Sequence, residues 1–76
     1  MSIVMIPVES SQIDAIGHDP RRNEMKVRFK NGGTYLYRNV TLGDFEALRK
    51  AESVGSHFSM TFKKDPVKYP YSKVEG

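Results

Sequence analysis

Cysteine is absent from the 76-residue chain. Disulfide bonds and thiolate metal sites are therefore excluded, and a reducing cytoplasm is the location that we expect. Long apolar runs are absent too, because Pro7 interrupts the apolar segment of residues 1–8 and no Lys or Arg precedes it. A secretion signal needs a basic start, and a membrane helix needs about 20 apolar residues. We therefore expect a soluble protein without a membrane segment, in which the residues around Pro7 form an edge strand.

The chain also lacks the residue sets that catalysis and metal binding require. Its only histidines, His18 and His57, do not lie at a spacing typical of a proton relay or an activated nucleophile. Together with Asp14 and Asp19 they do not form the three or four convergent ligands of a metal site. The glycine pair at residues 32–33 joins two predicted strands, whereas a phosphate loop leads into a helix. We therefore predict a protein that is not an enzyme and that binds no metal or cofactor.

Neither sign of charge is in large excess, since 12 basic and nine acidic residues give a net charge of +3. This bias is milder than that of a dedicated nucleic-acid-binding arm. The hydrophobic fraction of 38%, with four Tyr and four Phe, is enough for one compact core. Residues 1–76 are therefore predicted to form a single domain of modest stability, about 5 kcal/mol.

The clearest structural signal is strict alternation of apolar and charged residues over residues 24–30, which predicts a half-buried antiparallel strand. Asn31-Gly32-Gly33 then predicts a hairpin turn, and residues 34–38 form the return strand. An earlier strand is predicted over residues 10–17. A turn follows it over residues 18–23, because Asp before Pro is restricted to extended or turn conformations.

Two helices are predicted after the hairpin. Thr41 and Asp44 form a capping box that begins the first helix, and Gly55 is expected to end it in the left-handed conformation. Ser56 is predicted to cap a second, shorter helix, which Pro66 stops. Apolar side chains recur at helical spacing in both helices and are expected to pack on the sheet. They are Leu42, Phe45 and Leu48 in the first helix, and Val54, Phe58 and Phe62 around the second.

The order of these elements, strands first and helices after, predicts an α+β fold. We expect a small antiparallel β-meander of three or four strands followed by two short helices packed on one face. The tail, residues 67–76, is predicted to be extended and to pack back on the domain.

Aromatic and basic residues occur together in the hairpin and in the tail. Lys and Arg neutralise phosphates, and tyrosine rings stack on unpaired bases. Tyr35 and Tyr37 either stack on bases or belong to the core of the hairpin. For the other residues the alternative is a solvated lysine face and a packed tail. The candidate nucleic-acid-binding residues are Arg38, Lys63, Lys64, Lys68, Tyr69, Tyr71 and Lys73.

Several motifs occur together along the chain. They are Met5-Ile6-Pro7-Val8, the alternating strand and turn of residues 25–33, Tyr35-Leu36-Tyr37, Gly55 with Phe58, and Lys68-Tyr69-Pro70-Tyr71. Over nearly its whole length the chain thereby resembles the KTSC domain family, whose members occur at the C-terminus of some lysyl-tRNA synthetases and as small bacterial and phage proteins. It departs from the usual family pattern at His18, Thr41 and Ser59, where Tyr, Pro and Asn are common. The resemblance implies a small α+β domain and a role in RNA binding, and it implies no known reaction.

We therefore expect a small non-catalytic module that binds RNA or another nucleic acid through a basic and aromatic surface. The alternative is a phage or bacterial accessory protein that forms oligomers and binds a protein partner or a small nucleotide.

Overall fold

A five-stranded antiparallel sheet and a helical segment make up the fold of the computed structural model, which describes residues 3–74. The strands are β1 (Ile6–Pro7), β2 (Ile13–Asp19), β3 (Glu24–Phe29), β4 (Thr34–Tyr37) and β5 (Tyr71–Val74), and they lie in the sheet in chain order. Helix α1 (Leu42–Arg49), helix α2 (Val54–Phe58) and a π-helical segment (Ser59–Lys63) lie between β4 and β5. The predicted α+β fold is confirmed, with one strand more than expected because the tail returns to the sheet as β5.

The predicted central hairpin is formed by β3 and β4. The register places Met25 opposite Tyr37 and Val27 opposite Tyr35. The side chain of Asn31 stabilises the turn, since its Oδ1 accepts a hydrogen bond from the Gly33 N–H at 3.1 Å. Met25 and Val27 are fully buried, as the alternation predicted.

Strand β2 begins later and ends later than the sequence predicted. The Ser10 hydroxyl accepts hydrogen bonds from the N–H groups of Gln12 and Ile13, both at 3.2 Å, so the chain turns before the strand begins. His18 and Asp19 were expected in a turn, but they continue the strand and pair with β3. The turn is therefore confined to the residues between Asp19 and β3.

The helical segment covers one face of the sheet, as predicted. The ring of His18 in β2 stacks on Phe45 in α1 with centroids 5.2 Å apart. The ring of Phe29 in β3 meets Phe58 in α2 at 5.5 Å. Burial of these apolar surfaces is the main favourable term in the stability of the fold. The core consists of Ile13, Ile16, Met25, Val27, Tyr37, Val40, Phe45, Leu48, Val54, Phe58, Phe62 and Tyr69.

Helix α1 begins with the predicted capping box. The Asp44 N–H donates to Thr41 Oγ1 at 3.1 Å, and the Thr41 N–H donates to Asp44 Oδ2 at 3.3 Å. Phe45 and Leu48 are buried, but Leu42 is 51% exposed. The predicted apolar stripe is therefore shorter by one residue, because Leu42 lies at the first position of the helix, outside the area of contact with the sheet.

The boundary between the two helices differs from the prediction. Helix α1 ends at Arg49, and Ser53 caps α2 by accepting a hydrogen bond from the Ser56 N–H at 3.3 Å. Gly55 lies inside α2 and its φ is not positive. A Cβ added there would lie 3.0 Å from Ser10 Oγ, so Gly55 permits close approach of the loop before β2. The roles predicted for Gly55 as a left-handed terminus and for Ser56 as a cap are therefore wrong.

Pro7 lies in the edge strand β1, as expected. No helix within residues 3–74 has the length and apolar character needed to span a membrane.

Candidate nucleic-acid interface

A groove of about 600 Å³ lies between the β3–β4 hairpin and the chain that follows α2. We call it the aromatic groove, because nearly half of the residues that line it are aromatic. These residues come from both layers of the fold, since β3, β4 and β5 contribute all but one of them and α2 contributes the last. They are Phe29, Tyr35, Tyr37, Phe58 and Tyr71.

The five aromatic residues form a closed ring of side-chain contacts. The centroid distances are 5.6 Å for Phe29–Tyr35, 5.9 Å for Tyr35–Tyr71, 5.2 Å for Tyr71–Tyr37, 5.3 Å for Tyr37–Phe58 and 5.5 Å for Phe58–Phe29. All lie in the range of favourable aromatic pairs. Phe58 and Tyr37 are buried below, whereas Tyr71 is 51% exposed. The ring therefore has a buried base and at least one aromatic surface that solvent reaches.

Basic and neutral polar residues form the rim of the aromatic groove. Lys30 lies at the hairpin turn, and Lys63 lies at the end of the π-helical segment. Ser11, Gln12 and Asn31 add polar side chains, and within the described part of the chain none of the lining residues is acidic. The groove therefore combines positive charge with an aromatic surface, and this combination is complementary to a ligand that has aromatic rings and negative charge.

Lys73 lies next to the aromatic groove. It pairs with Tyr35 across β4 and β5, and directly paired residues project from the same face of a sheet. The Lys73 side chain is exposed. Lys73 therefore adds a third positive charge on the face of the sheet that carries the tyrosines.

Burial, together with the neighbouring phenols of Tyr71 and Tyr35, raises the pKa of the Tyr37 phenol from 10.0 to about 12, and burial is the largest cause. Desolvation disfavours the phenolate, and a second phenolate nearby would repel it. Tyr37 therefore stays neutral at physiological pH. Its hydroxyl makes no hydrogen bond to another residue within 3–74, so it can donate one to a molecule in the groove.

The structure brings four of the predicted site residues together. Lys63, Tyr71, Tyr35 and Tyr37 all line the aromatic groove. The two hairpin tyrosines differ in burial, since Tyr37 is part of the core and Tyr35 is partly buried and packs against the core. Both rings nevertheless contribute to the groove.

The remaining predicted basic residues are exposed but do not line the aromatic groove. Arg38 lies just after β4, where its N–H donates to the Pro70 carbonyl at 2.8 Å. Lys64 lies just beyond the π-helical segment. Lys68 Nζ lies 5.2 Å from the centroid of the Tyr69 ring, within the range of a cation–π contact.

Tyr69 is a correction to the predicted site. It is only 3% exposed, and its ring packs on Phe62 with centroids 4.7 Å apart. Its hydroxyl donates to Asp44 Oδ2 at 3.2 Å, which ties the tail to the first turn of α1. Tyr69 is therefore a core residue that is inaccessible for stacking on a base, and the packed-tail alternative holds at this position.

Sequence reasoning missed several residues of the aromatic groove. Phe29 was assigned only to the core face of its strand, and Lys30, Asn31 and Gln12 were not singled out. A signal was available for two of them. The predicted turn places Lys30 and Asn31 at the end of the hairpin, a few residues from Tyr35, so a site that contains Tyr35 has these two side chains as neighbours.

Within the described residues 3–74, no group of three or more His, Asp or Glu side chains is arranged so that it could hold a metal ion.

Among the residues 3–74, the one buried side-chain nitrogen or oxygen without a hydrogen-bond partner is Nδ1 of His18. The other ring nitrogen of His18, Nε2, donates to the Val40 carbonyl, which can only accept.

Comparison with known proteins points to the same family by sequence and by structure. The family model described as the KTSC domain matches residues 9–74. A crystal structure of a KTSC domain protein from Yersinia pestis superimposes with a TM-score of 0.87, at 30% sequence identity, and the match covers 96% of this chain and 99% of that one.

Two relatives are similar in sequence. An uncharacterised protein of Stutzerimonas stutzeri is 33% identical over 70 residues, which is 92% of this chain and 96% of that protein. A protein of Tsukamurella paurometabola is 49% identical over 51 residues, which is 67% of this chain and 76% of that protein.

Proposed function

The chain belongs to the KTSC domain family, and we propose that it is a non-catalytic module that binds single-stranded nucleic acid, RNA in particular, in the aromatic groove. In this proposal it acts in the cytoplasm, where its partner RNA would be found.

The observation that carries the proposal is a ring of five aromatic side chains beside lysines, with no acidic residue among the described lining residues. Unpaired bases stack on aromatic side chains, and each stacked base contributes about 1–3 kcal/mol. Lys30 and Lys63 line the groove and Lys73 lies beside Tyr35, and in this proposal these lysines contact the phosphates of the same strand. The groove volume of about 600 Å³ lies within the usual range for small-ligand sites, so it suits one or two nucleotides.

A single strand fits this surface better than a duplex. Bases in a duplex are stacked on one another, and their faces do not reach a protein side chain without unpairing. The half-exposed Tyr71 can offer its ring only to an unpaired base. The neutral Tyr37 hydroxyl adds a hydrogen-bond donor at the floor, where a base edge or a phosphate oxygen can accept.

The proposal is tested with a matched pair of variants. Tyr71 and Leu42 are both 51% exposed, but only Tyr71 lines the aromatic groove. We expect Tyr71→Ala to weaken binding of a fluorescently labelled single-stranded RNA by about 5- to 150-fold, the loss of one stacked base. Leu42→Ala should leave binding unchanged. Fluorescence anisotropy measures both affinities, and circular dichroism confirms that each variant is folded.

Two results would contradict the proposal. One is that the wild-type protein does not bind single-stranded RNA even at low salt, where phosphate contacts are strongest. The other is that Tyr71→Ala and Leu42→Ala bind equally well, because the binding surface then lies outside the aromatic groove.

A second candidate function is self-association. Strand β5 is the outer strand of the sheet, and an outer strand presents backbone N–H and C=O groups that a second copy can pair with. Sedimentation velocity over a wide range of protein concentrations tests this candidate. A strict monomer at the highest concentration argues against it, whereas a dimer that still binds RNA makes the two functions compatible.

A further inference from the structure

A second cavity adjoins the aromatic groove. Its volume is about 260 Å³, and Ser11 and Gln12 line both cavities, so this short stretch of chain borders each of them. We call it the serine-lined pocket, because serine hydroxyls predominate in it. The full lining is Ser10, Ser11, Gln12, Ser53, Gly55, Ser56, Ser59 and Met60.

Two of the five serine hydroxyls are hydrogen-bonded to backbone groups of the protein itself. The Ser10 hydroxyl accepts from two backbone N–H groups before β2, and the Ser53 hydroxyl caps α2. The hydroxyls of Ser11, Ser56 and Ser59 make no hydrogen bond to any other residue within 3–74. These three hydroxyls and the Gln12 amide are therefore available to a ligand.

The chemistry of the serine-lined pocket differs from that of the aromatic groove. None of its described lining residues is charged, and none is aromatic. It therefore lacks both the positive charge that favours a phosphate and the ring on which a base stacks. Each serine hydroxyl donates one hydrogen bond and accepts others, and this capacity matches a sugar hydroxyl. Its volume is below the usual range of a complete small-ligand site, so it suits one part of a larger ligand.

Resting on the proposed function, we propose that the serine-lined pocket takes the sugar of a nucleotide whose neighbour stacks in the aromatic groove, and that it selects ribose over deoxyribose. The strand then crosses the Ser11–Gln12 wall, with a base on one side and a sugar on the other. The 2′-hydroxyl is the group that distinguishes RNA from DNA at a given position. In the proposed complex it exchanges hydrogen bonds with the free hydroxyls of Ser56 and Ser59.

The test compares three single strands with the same base. They are oligouridine RNA, oligodeoxyuridine and 2′-O-methyl oligouridine of equal length, each bound to the 76-residue chain and followed by fluorescence anisotropy. We expect the RNA to bind about 2- to 12-fold more tightly than the deoxy strand, the range that one net hydrogen bond supplies. The 2′-O-methyl strand should bind no better than the deoxy strand, because methylation removes the donor and adds bulk.

The variant S56A/S59A tests whether the serine-lined pocket causes the preference for RNA over the deoxy strand. Neither hydroxyl is used within the described structure, and Ala is a good helix former, so we expect the variant to fold. It should bind RNA as weakly as wild type binds the deoxy strand, with deoxy binding unchanged. Ser72→Ala removes a hydroxyl from the opposite face of the sheet, where Ser72 pairs with Leu36, and should keep the preference. The single variants Ser56→Ala and Ser59→Ala repeat the comparison should the double variant fail to fold.

The outcomes separate this proposal from the proposed function. Equal binding of RNA and deoxy strands by wild type overturns ribose selection and leaves nucleic-acid binding intact. A preference for RNA that persists in S56A/S59A overturns the assignment to the serine-lined pocket. A wild-type chain that binds none of the three strands overturns both proposals.

Discussion

The salt dependence of RNA binding is the sharpest consequence of a cationic rim on the aromatic groove. Lys30 and Lys63 line the groove and Lys73 stands beside it, so we count three phosphate contacts for a bound strand. The variant K30A/K63A removes two of the three and leaves the aromatic ring untouched. It lowers the net charge of the chain from +3 to +1.

The expected magnitude follows from counterion release. Each phosphate contact to a single strand changes the slope of log K against log salt by about −0.7, so three contacts give about −2.1 and one gives about −0.7. Between about 50 mM and about 200 mM salt, a fourfold change, wild-type affinity should fall about 18-fold. The affinity of K30A/K63A should fall only about 2.6-fold over the same range.

Fluorescence anisotropy with a labelled single-stranded RNA at several salt concentrations measures both slopes. The matched control is K26A/K50A, which also has a net charge of +1. Lys26 projects from the opposite face of the sheet, where it pairs with Leu36, and Lys50 caps the end of α1. The control should keep the wild-type slope. The reasoning is refuted if the two double variants have the same slope, because net charge alone would then explain the binding.

Three further predictions concern stability and ionisation. Phe58→Ala should lower the free energy of unfolding by about 3–5 kcal/mol, because a fully buried ring that touches three other aromatic rings is lost. Urea unfolding followed by circular dichroism measures this, and a loss below about 1 kcal/mol would contradict the assigned core. Gly17→Ala should cost about 1–3 kcal/mol, since the new Cβ would lie 2.5 Å from the Val4 carbonyl oxygen. An unchanged thermal midpoint would show that residues 3–5 do not pack there. Because the folded-state pKa of Tyr37 is raised from 10.0 to about 12, its contribution to stability is complete below about pH 10 and is lost as the pH rises to about 12. Thermal unfolding measured at pH values across this interval should show a smaller loss of stability for Tyr37→Phe than for wild type. Equal losses of stability would count against the raised pKa of Tyr37.

Local sequence signals account for most of the fold. The alternation over residues 24–30 and the Asn31-Gly32-Gly33 turn predicted the central hairpin, because a strand with one buried face needs a period of two. The Thr41–Asp44 capping box predicted the start of α1, since both of its hydrogen bonds lie within four residues. Such features depend on neighbouring residues alone, and for this reason the chain sequence is sufficient to find them.

Residues whose type fits two local conformations were assigned to the wrong one. Gly55 has the residue type of a helix terminus, but it lies inside α2, where the missing Cβ leaves room for the Ser10 hydroxyl. That contact joins residues 45 positions apart, and no local pattern records it. Similarly, β2 extends through His18 and Asp19 because β3 is present to pair with them. In both cases a distant partner decided between two locally acceptable conformations.

What the sequence determined by itself is therefore the hairpin, the capped helix, the apolar stripe of the second helix and the presence of tyrosines near lysines. Tertiary structure alone decided which of these tyrosines face a groove. Tyr69 and Tyr71 are two residues apart and flank the same proline, yet one is 3% exposed and the other 51%. The difference arises because Tyr69 packs on Phe62 and reaches Asp44, whereas Tyr71 lies in the outer strand beside Tyr37. Whether a side chain is buried depends on the residues that pack against it, and those residues are remote in the chain.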